Sequence, residues 1–161
     1  MKLKKILYFP LYIWMKLHAL LPLPVLYVLS DILFFPLYYL VRYRRKLVRK
    51  NLSETFPLKS KAEIISLEKK FYRHFCDYMV ETIKLMHISD KEVKQRLVFT
   101  NIETVQRLLD KNQSCLMLLG HYGNWEWIPS VSLWLSPEHH YLLSQIYRPL
   151  KNNWFDEFFL R

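Results

Sequence analysis

The chain has 161 residues, is 52% hydrophobic and 16% aromatic, and carries a net charge of +10. Its length sets an expectation of one domain or a piece of a larger one, and its apolar content excludes a disordered chain. Ten lysines and arginines fall in residues 1–50 against a single acid, Asp31, which points to an anionic membrane surface rather than to nucleic acid.

Residues 19–41 form an apolar run, and crossing a bilayer takes about 20 such residues. Pro22, Pro24, Pro36 and the Ser30–Asp31 pair weaken a straight span. Lys2, Lys4 and Lys5 precede the run, and Arg42, Arg44, Arg45, Lys46, Arg49 and Lys50 follow it. Basic flanks stay on the cytoplasmic side, so a bent hairpin or an interfacial segment is expected rather than a single crossing. Tyr27, Tyr38, Tyr39 and Tyr43 suit the headgroup zone. No small-x-small cleavage site follows the run, so a removed leader is not expected. The alternative is a set of apolar helices packed on the domain. Residues 42–50 read as a headgroup contact, against a solvated helix face.

Ser60-x-x-Glu63, Ser89-x-x-Glu92 and Thr100-x-x-Glu103 predict three helix starts by reciprocal capping. After the first, Ile64, Leu67, Phe71, Phe75, Met79, Ile83 and Met86 recur at helical spacing and predict the buried face of a long helix. His74, Asp77 and Glu81 read as its polar edge. A helix over residues 101–111 ends at Asn112 and Gln113. Residues 115–119 are a short continuous apolar run, which predicts a strand buried on both faces. A helix from about Asn124 to Leu135, a second strand over residues 140–146 and a further helix from Asn152 complete the pattern. The expected class is α/β: N-terminal membrane-associated helices over residues 1–50, then the start of a parallel βαβ domain over residues 51–161. Cys76 and Cys115 lack any framework spacing and are expected to be reduced, buried thiols. His139 and His140 fall in a loop and read as a solvated pair.

Both glycines of the chain lie in one heptapeptide, Gly120-His121-Tyr122-Gly123-Asn124-Trp125-Glu126. At the usual share of ~7% a chain of this length holds about eleven. The map places His121 beyond the C-terminal end of the first strand, where open α/β sheets bind ligands. It places Glu126 in the first turn of the next helix. A carboxylate on one imidazole nitrogen fixes the tautomer and leaves the other nitrogen free to take a proton. With no serine or cysteine in the motif, the simplest chemistry is a histidine base acting on a hydroxyl, with helix-start amides near the developing charge. The competing reading is a structural His–Glu pair in a turn. Trp125 and Trp127 line an acyl pocket or pack the helix.

This heptapeptide closely resembles the His-x4-acid motif of the bacterial lipid A biosynthesis (lauroyl/myristoyl) acyltransferases, which are similar to glycerolipid acyltransferases. Supporting segments are Tyr43-Arg44-Arg45-Lys46, Asn51-Leu52, Phe56-Pro57, the stretch from Asp77 to Glu81, and Ile146-Tyr147-Arg148-Pro149-Leu150. The resemblance implies a membrane enzyme on the cytoplasmic face of the inner membrane. Such an enzyme transfers an acyl chain from an acyl-carrier-protein or coenzyme A thioester to a hydroxyl of a lipid A precursor. His121 would be the base and Glu126 its partner; Asn124, Arg148 and Arg161 would contact substrate. No metal or organic cofactor is implied. The implied partners are a membrane lipid acceptor, acyl carrier protein and the anionic membrane surface, and no nucleic acid. Family members continue past the point matching Arg161, so residues 51–161 are expected to be the N-terminal part of the acyltransferase domain. Two other readings are a non-catalytic membrane-binding derivative of the fold and an acyltransferase acting on another lipid.

Overall fold

The structure is a computed structural model that describes residues 2–140, 142–146, 149, 151 and 156, with residues 2–7 described by their backbone alone. The chain divides into two compact units, residues 18–86 and residues 1–17 with 87–161.

The described residues are mainly helical and contain no strand, so the expected parallel βαβ start is absent and the α/β class is corrected to helical. The reason is local. An apolar run becomes a strand only when neighbours take its backbone bonds and cover its faces. Leu118 is 86% exposed and Leu116 78%, and residues 113–120 run as irregular chain. Residues 142–146 are also irregular. Cys115, expected to be buried, lies exposed on this stretch.

The unit of residues 18–86 begins with the end of α1 (Lys2–Leu20). Helix α2 (Leu23–Phe35) follows and continues as a π-helical stretch, Pro36–Val41. Pro22 precedes the first turn and Pro24 lies inside it, where the missing N–H costs nothing. Pro36 stands deeper, has no N–H and crowds the carbonyl four residues back, so the widened register begins there. Helices α3 (Arg45–Thr55) and α4 (Lys61–Lys84) complete the unit, and α4 packs along both α2 and α3. The box at Ser60 forms in full: the Ser60 amide donates to Glu63 Oε2 at 2.8 Å, and the Ser60 hydroxyl accepts from the Glu63 amide.

The buried face of α4 is not the apolar stripe expected. It runs Ile64, Glu68, Tyr72, Cys76, Val80 and Lys84, while Phe71 and Met79 stay exposed. The polar groups on this side hold α2 by a series of bonds. Tyr27 donates to Glu81 at 2.8 Å, Ser30 to Asp77 at 2.5 Å and Tyr38 to Glu68 at 2.9 Å. Lys84 donates to the carbonyls of Ala19 and Leu21 at 3.0 Å each, closing the C-terminal end of α1. Between these bonds Phe34, Tyr38, Tyr72 and Cys76 form a core cluster, joined by Leu33, Leu37 and Val48.

Glu68 is 0% exposed and is the centre of the charge arrangement. Arg49 grips it with two bonds, Nε to Oε2 at 2.6 Å and Nη2 to Oε1 at 3.0 Å. Arg45 Nε lies 3.0 Å from Oε1, and its guanidinium stands 4.5 Å over the Tyr38 ring. The basic run therefore has two roles. Arg45 and Arg49, one helical turn apart, turn inward, while Arg42, Arg44, Lys46 and Lys50 remain exposed. Arg42 and Arg44 both take left-handed backbone at φ 53° and 50°, and Tyr72 donates to the Tyr43 carbonyl between them. Left-handed backbone costs an ordinary residue about 1–2 kcal/mol, so the ion pairs and this bond hold a turn the chain does not favour alone.

Burial works to raise the Glu68 carboxyl. The hydrogen bonds from Arg49 and Tyr38 and the charges of Arg49 and Arg45 outweigh it, leaving Glu68 below the usual glutamate range. A lowered folded pKa means stability that is present above the ordinary glutamate value and is lost as pH falls through the lowered one. Glu68→Gln is expected to destabilise the protein by about 3 kcal/mol, near the low end for breaking a buried pair because both arginines keep some water. Thermal unfolding followed from pH 7 downward should show a larger acid-dependent loss in the native chain than in the variant.

Candidate active site

The unit holding the motif is built on α5 (Asp90–Arg96), α6 (Glu103–Asp110) and a 3-10 helix, Trp125–Trp134. Ser89 caps α5 by accepting the Glu92 amide at 3.2 Å. Thr100 does not cap: α6 begins later, at Glu103, after the left-handed Asn101. Its other end closes as the sequence suggests. Asn112 is left-handed at φ 54°; its amide bonds Leu109 O, and the Gln113 amide bonds Leu108 O.

The helix expected from Asn124 to Leu135 forms at Trp125–Trp134, with 3-10 rather than α geometry and with Pro129 inside it. Trp127, Val131 and Leu135 are buried, so this helix is anchored. It packs against α5, and Trp134 meets Phe99 edge-on at 4.9 Å between ring centres. The Gln106 side chain clamps Ser136, donating to Oγ at 2.7 Å and accepting the Ser136 amide at 2.9 Å. His139 Nε2 pairs with Asp110 at 2.9 Å, and His140 Nε2 bonds Leu135 O at 2.9 Å. The expected solvated pair is thus bonded at both rings: His139 fastens α6 to the residues after the helix, and His140 bonds back to the carbonyl at the helix end. Hydrogen bonds from His139 and then Gln106 hold the Asp110 carboxyl below its ordinary range. Ligand atoms of Asp110, Glu138 and His139 lie within 4.8 Å of one another. Sequence reading missed this fastening, because Gln106, Asp110 and Ser136 carry no spacing signal.

The motif is the approach to this anchored helix. The Tyr122 amide turns back onto Gly120 O at 2.9 Å, and Gly123 is left-handed at φ +60°. Gly120 has no such backbone, so glycine is required at one of the two positions, not both. His121 is exposed on the loop, and its ring meets Trp125 at 4.8 Å with a 62° interplanar angle. Edge contacts of this kind orient an imidazole without using its nitrogens. Glu126 is half-buried in the first turn of the helix, and among the described residues no hydrogen bond joins it to His121. Asn124 is half-buried directly before the helix. Arg148 and Arg161 lie outside the described residues. The structure therefore brings His121, Asn124, Trp125 and Glu126 into one turn-to-helix passage.

A family model for the bacterial lipid A biosynthesis acyltransferases matches residues 2–161. The chain belongs to this family. It is an acyltransferase of lipid A biosynthesis, and the match spans the membrane-suited N-terminal run and the glycine motif alike. No curated protein and no solved structure matches the chain. Within this acyltransferase, Leu23–Val41 is long and apolar enough to cross a membrane by length and composition.

A Cβ added at Gly120 or at Gly123 meets nothing within 4 Å. Gly120→Ala should therefore fold as the native chain does. Gly123→Val should cost more than 1 kcal/mol from backbone alone, and Gly123→Asn should fall between them. Urea unfolding of the three variants checks this order, and a Gly120→Ala loss equal to that of Gly123→Val would contradict it.

Proposed function

We propose that this acyltransferase moves a fatty acyl chain from a thioester donor to a hydroxyl of a lipid A precursor, with His121 as general base. The observation that carries the reading is an exposed histidine on a turn that leads directly into an anchored helix bearing Glu126. The hydroxyl proton passes to an imidazole nitrogen as the oxygen attacks the thioester carbonyl. The C–S bond then breaks, and the imidazolium returns the proton to the leaving thiolate. Glu126 orients the ring and stabilises its positive charge once substrate draws the two together, since catalytic hydrogen bonds often close only in the bound complex. No acyl-enzyme is needed. Asn124 sits within reach of the same passage, and Arg148 and Arg161 supply cationic forks suited to acidic groups of the acceptor.

The donor in this reading is an acyl-carrier-protein or coenzyme A thioester. The site of action is the cytoplasmic face of the inner membrane. The exposed Arg42, Arg44, Lys46 and Lys50 favour an anionic lipid surface.

The test replaces the gene in its source organism with His121→Ala or Glu126→Ala and weighs lipid A by mass spectrometry. His121→Ala is expected to lower transfer by roughly 10²–10⁴-fold and to remove one acyl chain. Glu126→Ala should have a smaller effect in the same direction, with membrane recovery unchanged in both. Full transfer in both variants would overturn the mechanism. Native protein that binds membranes but acylates no lipid hydroxyl would favour a non-catalytic derivative, and transfer to a lipid other than lipid A would change the acceptor.

A further inference from the structure

We infer that Leu23–Val41 does not cross the bilayer but lies within one leaflet of an anionic membrane, with α4 on its aqueous side. This deepens the membrane-surface part of the function proposed above and rests on it. The starting observation is how the segment is held. Bonds to α4 recur along it, Tyr27 to Glu81, Ser30 to Asp77 and Tyr38 to Glu68, and Leu21 O just before it accepts from Lys84. The segment is therefore fixed lengthwise on α4, and the two must enter a membrane together or not at all.

Helix α4 is unfit to enter. Lys70, Arg73 and His74 are exposed near its middle, in addition to the carboxylates that face α2. Carrying it across would place these charges in hydrocarbon, where ionised groups are strongly disfavoured. Crossing by the segment alone would break every one of its bonds to α4. It would strand Asp31, which is exposed and lies near the middle of the run.

The opposite side of the segment has the form of an interfacial face. Val25, Val28, Ile32, Phe35 and Tyr39 recur at spacings of three and four and are all exposed. Only 22% of the segment's most apolar window is buried. Cations border it. Lys69 stands 5.9 Å from the Tyr39 ring centre and Arg73 5.3 Å from that of Phe34, while exposed Arg42 and Arg44 follow its end. An apolar stripe bordered by lysine and arginine matches a helix lying in the headgroup–acyl boundary of anionic lipid. The number of apolar residues satisfies a span; the arrangement of their polar neighbours does not.

The experiment places one nitroxide label at a time on a cysteine introduced at Val25, Val28, Ile32, Phe35 or, as the aqueous control, His74, in the full chain carrying Cys115→Ser, with the native Cys76 left buried. The protein is bound to phosphatidylglycerol–phosphatidylethanolamine vesicles, and depth is read from relative oxygen and nickel-chelate accessibility. The expected result is one shallow depth for the four α2 labels, roughly 5–10 Å below the headgroups, with the His74 label in water. A depth that passes through the bilayer centre along α2 would overturn the inference, as would four labels left in water. Ile32→Asp should lower partition onto the same vesicles by roughly tenfold or more; an unchanged partition would also count against it. These readouts are separate from catalysis. Native lipid A acylation with a crossing profile defeats only the topology. A one-leaflet profile with no acyl transfer defeats only the reaction.

Discussion

The buried carboxylate of Glu68 is the constraint on which the unit of residues 18–86 depends. A lone ionised carboxylate without water is costly, so the fold must bring partners to it. It brings three from two directions: Tyr38 at the end of the apolar segment, and Arg45 and Arg49 from α3. Meeting that demand sets the register of the segment against α4 and the position of α3. It also forces the chain between them through two left-handed arginines. A hydrophobic contact at this point would tolerate sliding, whereas a bidentate guanidinium does not.

The polar side of α4 explains why the sequence misled about its burial. Leu67, Phe71, Phe75 and Met79 make an orthodox amphipathic stripe, and in a soluble bundle that stripe would face inward. Here the partner segment is itself largely apolar and presents Tyr27, Ser30 and Tyr38 to α4. The side of α4 that answers them is the one with Glu81, Asp77 and Glu68. Periodicity reports that a helix has two faces but not which face its neighbour selects. Helix starts at Ser60 and Ser89 and the stop at Asn112 were legible because each is a local bond between residues a few positions apart.

The strands were misread for the opposite reason. Residues 115–119 have the composition of a central strand, but strand formation is a property of pairs, and no single segment encodes its partner. What the sequence did make legible here is the turn itself: a glycine-bearing loop around His121, followed by a helix whose first turn holds Glu126. Left-handed Gly123 bears out one of the two glycines. The edge of Trp125 on His121 was not foreseen, because ring contacts four residues apart depend on the exact turn.

The two cysteines end in opposite environments. Burial pushes the Cys76 thiol up to about 11, inside the core cluster of α2 and α4. Cys115 is exposed on the irregular chain five residues before Gly120. Thiolate is the reactive form, so an alkylating reagent at neutral pH divides the two sites by environment. It marks the approach to the histidine loop at once. It reaches the helix interface only when that interface opens, which makes the native protein its own reporter of unfolding.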